Sequence, residues 1–100
     1  MIIRVHSTLR QLAGLRQIEA TSPAPPTVAE ALHRLAERAP GLTPRLFDAA
    51  GNLNRQVTVF CNGRQIVFLQ GLATPLSPTD TLDLFPTSHL QRVFAPLEGE

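Results

Sequence analysis

The side chains with the most reactive chemistry in this 100-residue sequence are one cysteine and three histidines. Cys61 could serve as a sulfur-handling nucleophile, because a thiolate is a strong nucleophile. It alternates, however, with Val57 and Val59 along a predicted strand, so its thiol is expected on the inward face. A buried thiol behaves as a small apolar side chain, and the pattern therefore predicts a core residue.

The three histidines are the other candidate ligands or acid-base groups. His6, His33 and His89 fall on a predicted strand, a predicted helix and the segment after the last strand. Zinc sites use ligands at short paired spacings, and these three positions show none. The chain also lacks a Gly-rich phosphate loop, a nucleophile elbow and a spaced carboxylate pair. We therefore predict neither a metal or cofactor site nor an enzyme active site of its own.

Length and charge limit the remaining function classes. One hundred residues suit a single domain that folds without disulfides, and no apolar run reaches the roughly 20 residues of a membrane span. The formal net charge is +1, and the basic residues form no cluster along the sequence, which argues against nucleic-acid binding. The alternating start of the chain is unlike a secretory signal, so a cytoplasmic protein is expected.

The elements that must position these residues begin with a predicted hairpin. Residues 2–6 alternate like a strand that turns His6 outward. Residues 7–15 are expected to form a connecting turn with Gly14 as its turn residue. Residues 17–21 resume the alternation and are expected to pair back.

A main helix is predicted after a proline-rich linker at residues 22–26. Thr27 and Glu30 form a capping-box pattern at its start, and Pro40 and Gly41 end it. Its apolar stripe recurs at three- and four-residue spacing and consists of Val28, Ala31, Leu32, Leu35 and Ala39. Such a stripe must lie on an apolar surface, which we expect to include Ile3, Val5, Val59 and Leu84.

The second half of the chain predicts the rest of the sheet. Asn62-Gly63 is the strongest hairpin signal in the sequence, and Pro86 marks the end of the last strand. Strands are expected at residues 57–61, 65–69 and 81–85. The order of elements predicts an α+β fold, with a mixed sheet of four to five strands and one main helix on one face.

Four stretches then recur in a familiar order and spacing. They are Thr8 to Gly14, Pro40 to Leu42 with Arg45 to Asp48, Val59 to Gly63 and Phe68 to Leu76, and Leu84-Phe85-Pro86 follows them. In this order the chain resembles the MoaD/ThiS family of β-grasp, ubiquitin-like sulfur carriers, and the small subunit of molybdopterin synthase in particular. The resemblance implies a β-grasp domain at residues 1–86 and a C-terminal tail at residues 87–100.

The resemblance also implies a chemistry for the tail. In that family the tail ends in Gly-Gly, is adenylated by an activating enzyme and becomes a thiocarboxylate. The implied partners are therefore an adenylating activating enzyme and the large subunit of molybdopterin synthase. This chain departs from the pattern, because Ser88 to Gln91 stand where the diglycine is expected and a single Gly99 precedes Glu100. A narrow enzyme channel favours glycine, since a Cβ would obstruct the tail.

Two aromatic residues are expected on the sheet face opposite the helix. The alternation that buries their neighbours turns Phe60 and Phe85 outward. Exposed aromatic side chains commonly mark partner surfaces, and the resemblance implies that this face meets the large subunit and the activating enzyme. We therefore predict partner contacts at His6, Phe60, Phe85 and Pro86. The alternative is that the chain's own tail covers both phenyl rings.

The tail carries a second capping-box pattern that starts at Ser88. Three apolar side chains follow at helical spacing until Pro96, and these are Leu90, Val93 and Phe94. We predict a short helix over residues 89–95 that forms only by docking. The docking surface would be the Phe60/Phe85 face of the same chain, or that of a neighbouring copy in a homodimer.

Three functions remain open at this point. The first is a sulfur carrier of molybdenum cofactor biosynthesis that presents its tail to an activating enzyme and a large synthase subunit. The second is a ubiquitin-like interaction module that carries no sulfur and docks through Phe60 and Phe85. The third is a precursor from which a peptidase removes Glu100, so that Gly99 becomes the reactive end of a modifier or a processed carrier.

Overall fold

The computed structural model describes residues 1–19 and 26–87, and five strands within them form one mixed sheet. The strands are β1 (Ile2–Val5), β2 (Gln17–Glu19), β3 (Val57–Cys61), β4 (Arg64–Gln65) and β5 (Thr81–Pro86). Their order across the sheet is β2-β1-β5-β3-β4. β1 and β5 run parallel, and the other neighbours run antiparallel. With one main helix on one face, this sheet confirms the predicted β-grasp fold.

The main helix, α2 (Val28–Arg38), starts at the predicted cap. The Thr27 side chain accepts a hydrogen bond from the Glu30 amide at 3.3 Å, which satisfies one of the free amides of the first turn. The Glu30 carboxylate, which was expected to reach back to the cap, lies 3.7 Å from the Arg34 Nε one turn further on. The helix ends ahead of Pro40, as predicted.

The apolar stripe of α2 packs on the sheet. Its residues Val28, Ala31, Leu32, Leu35 and Ala39 are all buried. They share one core cluster with the inward side chains of the three central strands, which include Ile3, Val5, Val59, Leu82 and Leu84. Cys61 belongs to the same cluster and is 7% exposed. The predicted core, with Cys61 inside it, is therefore confirmed.

Residues 8–13 form a short helix, α1 (Thr8–Ala13), where the sequence predicts a turn. Gly14 ends this helix at φ 72°, and its amide donates to the Arg10 carbonyl at 3.0 Å. The helix buries Leu9 alone, and one buried residue in six gives no periodicity that could be recognised in the sequence. The prediction of a turn at these residues was wrong, because they form a helix. The prediction that the chain turns at Gly14 is confirmed.

The predicted return strand at residues 65–69 is also wrong beyond its first residue. Asn62 and Gly63 form the expected tight turn with φ values of 52° and 86°. Only β4 pairs with β3 after that turn. The following segment, Ile66–Phe68, is a 3-10 turn that buries its first side chain and leaves the next two exposed.

Short helical turns connect the remaining elements. They are the 3-10 turns Pro40–Leu42 and Gly71–Ala73 and the single-turn helix α3 (Thr43–Leu46). Leu42 and Leu46 are fully buried and close the core at the end of α2. Within the described ranges, no helix is long and apolar enough to cross a membrane.

The strand directions bring several segments together at one end of the sheet. β1 and β5 are parallel, so Val5 and Pro86 both finish there. β2 and β3 run the opposite way, so Gln17 and Val57 begin there. We call this end the tail-exit end, because the chain leaves the sheet here after Pro86. The predicted tail helix at residues 89–95 lies outside the described residues.

Candidate partner-binding face

Four ring-bearing side chains follow one another across the sheet face that α2 leaves uncovered. The His6 ring stacks on the Phe85 ring, with centroids 4.3 Å apart and planes 7° apart. Phe60 meets Phe85 edge-on at 5.7 Å. Phe60 and Phe68 line one shallow groove beside β4. We call His6, Phe85, Phe60 and Phe68 the aromatic row.

Strand register explains why the first three rings meet. β5 lies between β1 and β3 in the sheet, so Phe85 has a neighbour on each side. The His6 amide donates to the Leu84 carbonyl at 3.0 Å, which holds the two chain segments side by side. Alternation places every second residue of these strands on the same face, and the inward neighbours are buried.

Asp83 fixes the β1 end of the row. Arg4 donates to both carboxylate oxygens, from Nε at 2.8 Å and from a terminal nitrogen at 3.2 Å. The Nε2 of His6 lies 2.8 Å from the same carboxylate. The Asp83 side chain is only 14% exposed, so these partners compensate the cost of partly burying its charge. The row therefore presents a pre-ordered surface, which lowers the entropy cost of binding.

Three of the four predicted partner residues lie together on one face, and the fourth does not. His6, Phe60 and Phe85 are brought together on one face, but all three are half-buried, because the rings cover one another. The expected exposure of the two phenylalanines was therefore wrong in degree. Pro86 is buried at the end of β5 opposite Val57, so it does not belong to the row.

The most exposed aromatic side chain of the described residues was not predicted as a contact. Phe68 is 78% exposed and its neighbour Val67 is 69% exposed. They were assigned to a strand, whose alternation would have placed one of the two on the inward face. The available signal was the apolar run from Ile66 to Leu69, which contains more apolar side chains than one short edge strand can bury.

Thr87 fixes the point at which the chain leaves the sheet. Its amide donates to the Gln56 carbonyl at 2.8 Å, and its hydroxyl donates to the Arg55 carbonyl at 2.7 Å. The hydroxyl oxygens of Thr58 and Thr87 are 2.9 Å apart. The single hydroxyl proton of Thr87 is donated to the Arg55 carbonyl, so the Thr87 oxygen accepts a hydrogen bond from the Thr58 hydroxyl. The root of the tail is thus tied to the start of β3.

The other candidate reactive groups have structural roles. Burial raises the pKa of the Cys61 thiol, and the nearby Asp80 carboxylate raises it further, which keeps the thiol protonated. The His33 ring stacks on Phe47 with centroids 4.6 Å apart. Across residues 1–19 and 26–87, no three His, Cys, Asp or Glu side chains are grouped so that they could hold a metal ion.

Residues 3–88 of the chain match the sequence model of the ThiS family. The chain belongs to the ThiS family. This ThiS-family chain is 33% identical over 84 residues to small archaeal modifier protein 3 of Haloferax volcanii, a match that covers 84% of the chain and 90% of that protein. The predicted resemblance to the MoaD/ThiS group is therefore confirmed.

Solved structures place the ThiS-family chain in the same group. Small archaeal modifier protein 1 of Haloferax volcanii superposes with a TM-score of 0.76 at 29% identity, over 86% of this chain and 92% of that one. CysO of Amycolatopsis orientalis, solved in its complex with BexX, superposes with a TM-score of 0.73 at 27% identity, over 85% and 92% of the two chains. The group consists of small ubiquitin-like sulfur carriers and modifiers.

Proposed function

We propose that this ThiS-family protein is a carrier whose tail is activated by an adenylating enzyme that docks on the aromatic row. The observation that carries the proposal is the position of Thr87. Its two backbone anchors, at Gln56 and Arg55, place the root of the tail at the end of a strand that also bears Phe85. A partner that covers the row is therefore next to the tail it must handle.

The proposed chemistry begins at a carboxylate of the tail. A carboxylate oxygen attacks the α-phosphorus of ATP, an acyl adenylate forms and pyrophosphate leaves. A sulfide donor then displaces AMP and leaves a thiocarboxylate. The catalytic groups belong to the activating enzyme. This chain contributes a docking face, in which Asp83 holds His6 and His6 stacks on Phe85, and a fixed exit point for the tail.

The finer assignment is the small subunit of molybdopterin synthase in molybdenum cofactor biosynthesis, as the resemblance carried by the four sequence stretches and the following Leu84-Phe85-Pro86 implies. The partner in that case is the large synthase subunit, which would receive sulfur from the tail. The same aromatic row would dock on both partners in turn, since a carrier must leave one before it meets the other. Reconstitution with the large subunit and measurement of complex formation by sedimentation tests this assignment.

A second candidate function is that of a protein modifier. The identity of 33% to small archaeal modifier protein 3 favours it. Here a lysine amine of a target displaces AMP from the acyl adenylate, and an isopeptide bond forms. Gly99 is the candidate reactive residue, because a glycine carboxylate enters a narrow channel most easily.

Intact mass spectrometry separates these possibilities. The protein is incubated with the adenylating enzyme encoded in the same genome, ATP, magnesium and a sulfide donor. A carrier gains the mass of one sulfur-for-oxygen exchange, and peptide mapping locates the reacting carboxylate. A precursor first loses Glu100 when an extract of the source cells supplies the peptidase, and a modifier appears in isopeptide-linked peptides when target proteins are added.

Two variants connect the reaction to the aromatic row. Phe68→Ser removes the most exposed ring, and Leu12→Ser removes a 40% exposed apolar side chain of α1 as a matched control. We expect the first to slow thiocarboxylate formation and the second to leave it unchanged. If no mass change occurs with the wild-type chain, the carrier proposal fails, and an interaction module without carrier chemistry is the function that remains.

A further inference from the structure

Arginines that are scattered along the sequence gather at the tail-exit end of the sheet. Arg10 lies on α1, which follows β1, and Arg16 comes directly before β2. Arg45 lies on α3, and Arg55 lies two residues before β3. The directions of β1, β2, β3 and β5 place these segments together, and Thr87 leaves the sheet among them.

Two grooves are lined by these four arginines. The first has a volume of about 400 Å³ and is lined by Thr8, Leu9, Arg45, Arg55, Gln56, Val57, Pro86 and Thr87. The second has a volume of about 300 Å³ and is lined by Arg4, Val5, His6, Arg10, Arg16 and Gln17. The start of α1 separates them, since Thr8 faces one groove and Arg10 the other. Among the described residues, no aspartate or glutamate lines either groove.

The charge of this end is not neutralised within the described residues. Across the described residues, the arginines found in ion pairs are Arg4, with Asp83, and Arg34, with Glu30. Arg10 donates from Nε to the Val5 carbonyl at 3.3 Å, and this neutral acceptor brings no negative charge to the guanidinium. No ion pair is found for Arg16, Arg45 or Arg55 in the described part of the chain. We call Arg10, Arg16, Arg45 and Arg55 the arginine collar.

We propose that the arginine collar binds an acidic surface of the protein that takes up the tail. The proposal deepens the carrier function and rests on it. The positive charges beside the root of the tail would attract the acidic surface of the partner. The partner would then approach in an orientation that contacts the aromatic row and the tail together. His6 belongs to both the second groove and the row, so the two surfaces are continuous.

The observations favour a protein over a nucleic acid as the occupant. The chain has a net charge of only +1, whereas nucleic-acid-binding domains are strongly basic. Protein interfaces are enriched in arginine and aromatic residues and depleted in lysine. The collar fits that description through its position, because its second groove includes His6, which stacks on Phe85 in the aromatic row.

A nuclear magnetic resonance titration tests the collar without any enzyme. The ¹⁵N-labelled full chain is titrated with a short poly-glutamate peptide at an ionic strength of about 0.15 M. A poly-glutamine peptide of equal length is the uncharged control, and a short DNA duplex is the nucleic-acid probe. We expect poly-glutamate to shift the amides around Arg10, Arg45, Arg55 and Thr87, and poly-glutamine to shift none of them.

Charge reversal gives the matched comparison. Arg45→Glu combined with Arg55→Glu should weaken poly-glutamate binding about tenfold or more, since like charges then face each other. Arg38→Glu is the control, because this exposed arginine is not among the residues that line these two grooves or the groove beside β4, and it should leave binding unchanged. Arg55→Glu alone is its single-charge counterpart and should weaken binding. Arg45→Gln with Arg55→Gln, a milder pair, serves if the reversed variant fails to fold.

Each outcome decides the proposal. Shifts confined to the collar and lost in the Arg45/Arg55 variants support it. It is overturned by shifts that are absent or spread evenly over the surface, by equal binding of the Arg55→Glu and Arg38→Glu variants, or by DNA shifting the same amides at lower concentration than the peptide. Because the titration contains no activating enzyme, its failure leaves the carrier function standing, and failure of thiocarboxylate formation does not alter its result.

Discussion

The ring of His6 lies parallel to that of Phe85, 4.3 Å away, while its Nε2 lies 2.8 Å from the Asp83 carboxylate. Stacking and hydrogen bonding thus fix one side chain in two directions. Phe60 on β3 packs edge-on against Phe85 on β5, so the fixed position of Phe85 also restricts the position of Phe60. Beyond Phe60 the row continues to Phe68, which is largely uncovered and offers the apolar anchor that a partner could enclose.

The first prediction concerns that anchor. Phe68→Ser should change the free energy of unfolding by less than about 0.5 kcal/mol, because an exposed side chain contributes little to the core. The same change should weaken binding to the activating enzyme about tenfold or more, as loss of an interface hot spot does. Urea denaturation and calorimetry measure the two quantities. Equal affinity of the variant and the wild type would remove Phe68 from the interface.

The second prediction concerns the centre of the core. Leu35 is fully buried, so Leu35→Ala should lower the free energy of unfolding by about 2 to 5 kcal/mol through lost burial and a new cavity. Leu12→Ala is the control, because that side chain is 40% exposed. Urea denaturation measures both. A loss below about 0.5 kcal/mol at Leu35 would contradict the packing of α2 on the sheet.

The third prediction concerns the start of α2. Thr27→Ala removes the oxygen that accepts the Glu30 amide and should cost about 1 kcal/mol. Thr27→Ser keeps an oxygen in place and should cost less than half as much. Thermal denaturation of the three proteins measures the difference. If the serine variant is as unstable as the alanine variant, the cap contributes through its methyl group and not through its hydrogen bond.

Much of the fold could be predicted because local signals agreed with the global arrangement. The alternation of residues 57–61, the turn at Asn62-Gly63 and the cap at Thr27 each need only a few neighbouring residues to act. α1 was not predicted, because a six-residue helix that buries only Leu9 shows no helical period of apolar residues in its sequence. It is held in place by the tertiary structure.

The candidate site could be predicted only in part, because it depends on which strands are neighbours. Alternation alone turns Phe60 and Phe85 outward. The contacts of Phe85 with His6 on one side and with Phe60 on the other require that β5 lie between β1 and β3, which no local pattern specifies. The arginine collar depends even more on topology. Arg10 and Arg55 are 45 residues apart in sequence, and they lie at the same end of the sheet only because the strand directions bring their segments there.

The fourth prediction concerns stability in acid. The pKa of Asp80 is lowered, first by the Ser77 amide at 2.8 Å and then by the Asn62 side chain at 2.9 Å. The folded chain therefore holds this proton less tightly than the unfolded chain, in which the pKa is about 3.9. The stabilisation is complete above that unfolded value and is lost as the pH falls through the lower folded value.

Asp80→Asn should therefore lower stability near neutral pH by no more than about 1 kcal/mol, because solvent screens this carboxylate. The difference from the wild type should shrink as the pH falls below about 4. Urea denaturation at a series of pH values checks both statements. A difference that is constant from neutral to acid pH would mean that the carboxylate charge contributes nothing.

The last prediction concerns the contact between α1 and the segment after α2. A Cβ built on Gly41 would lie 2.6 Å from the Leu12 carbonyl oxygen, a backbone atom that cannot turn aside. Gly41→Ala should therefore push α1 away and cost about 1 to 3 kcal/mol, as overpacking does. Gly63→Ala is the matched control, because its Cβ would meet no atom within 4 Å and only the φ of 86° is unfavourable.

Hydrogen exchange distinguishes the two glycine variants beyond their stability. The Gly14 amide, which donates to the Arg10 carbonyl, closes the last turn of α1. It should exchange faster in Gly41→Ala and at the wild-type rate, after correction for global stability, in Gly63→Ala. Such a displacement would also move Arg10 and Thr8, which line the two grooves of the arginine collar, so Gly41→Ala should weaken poly-glutamate binding while every arginine remains. If Gly41→Ala leaves both the stability and the exchange rate of the Gly14 amide unchanged, the prediction is wrong. The Leu12 carbonyl oxygen would then lie further than 2.6 Å from the new Cβ.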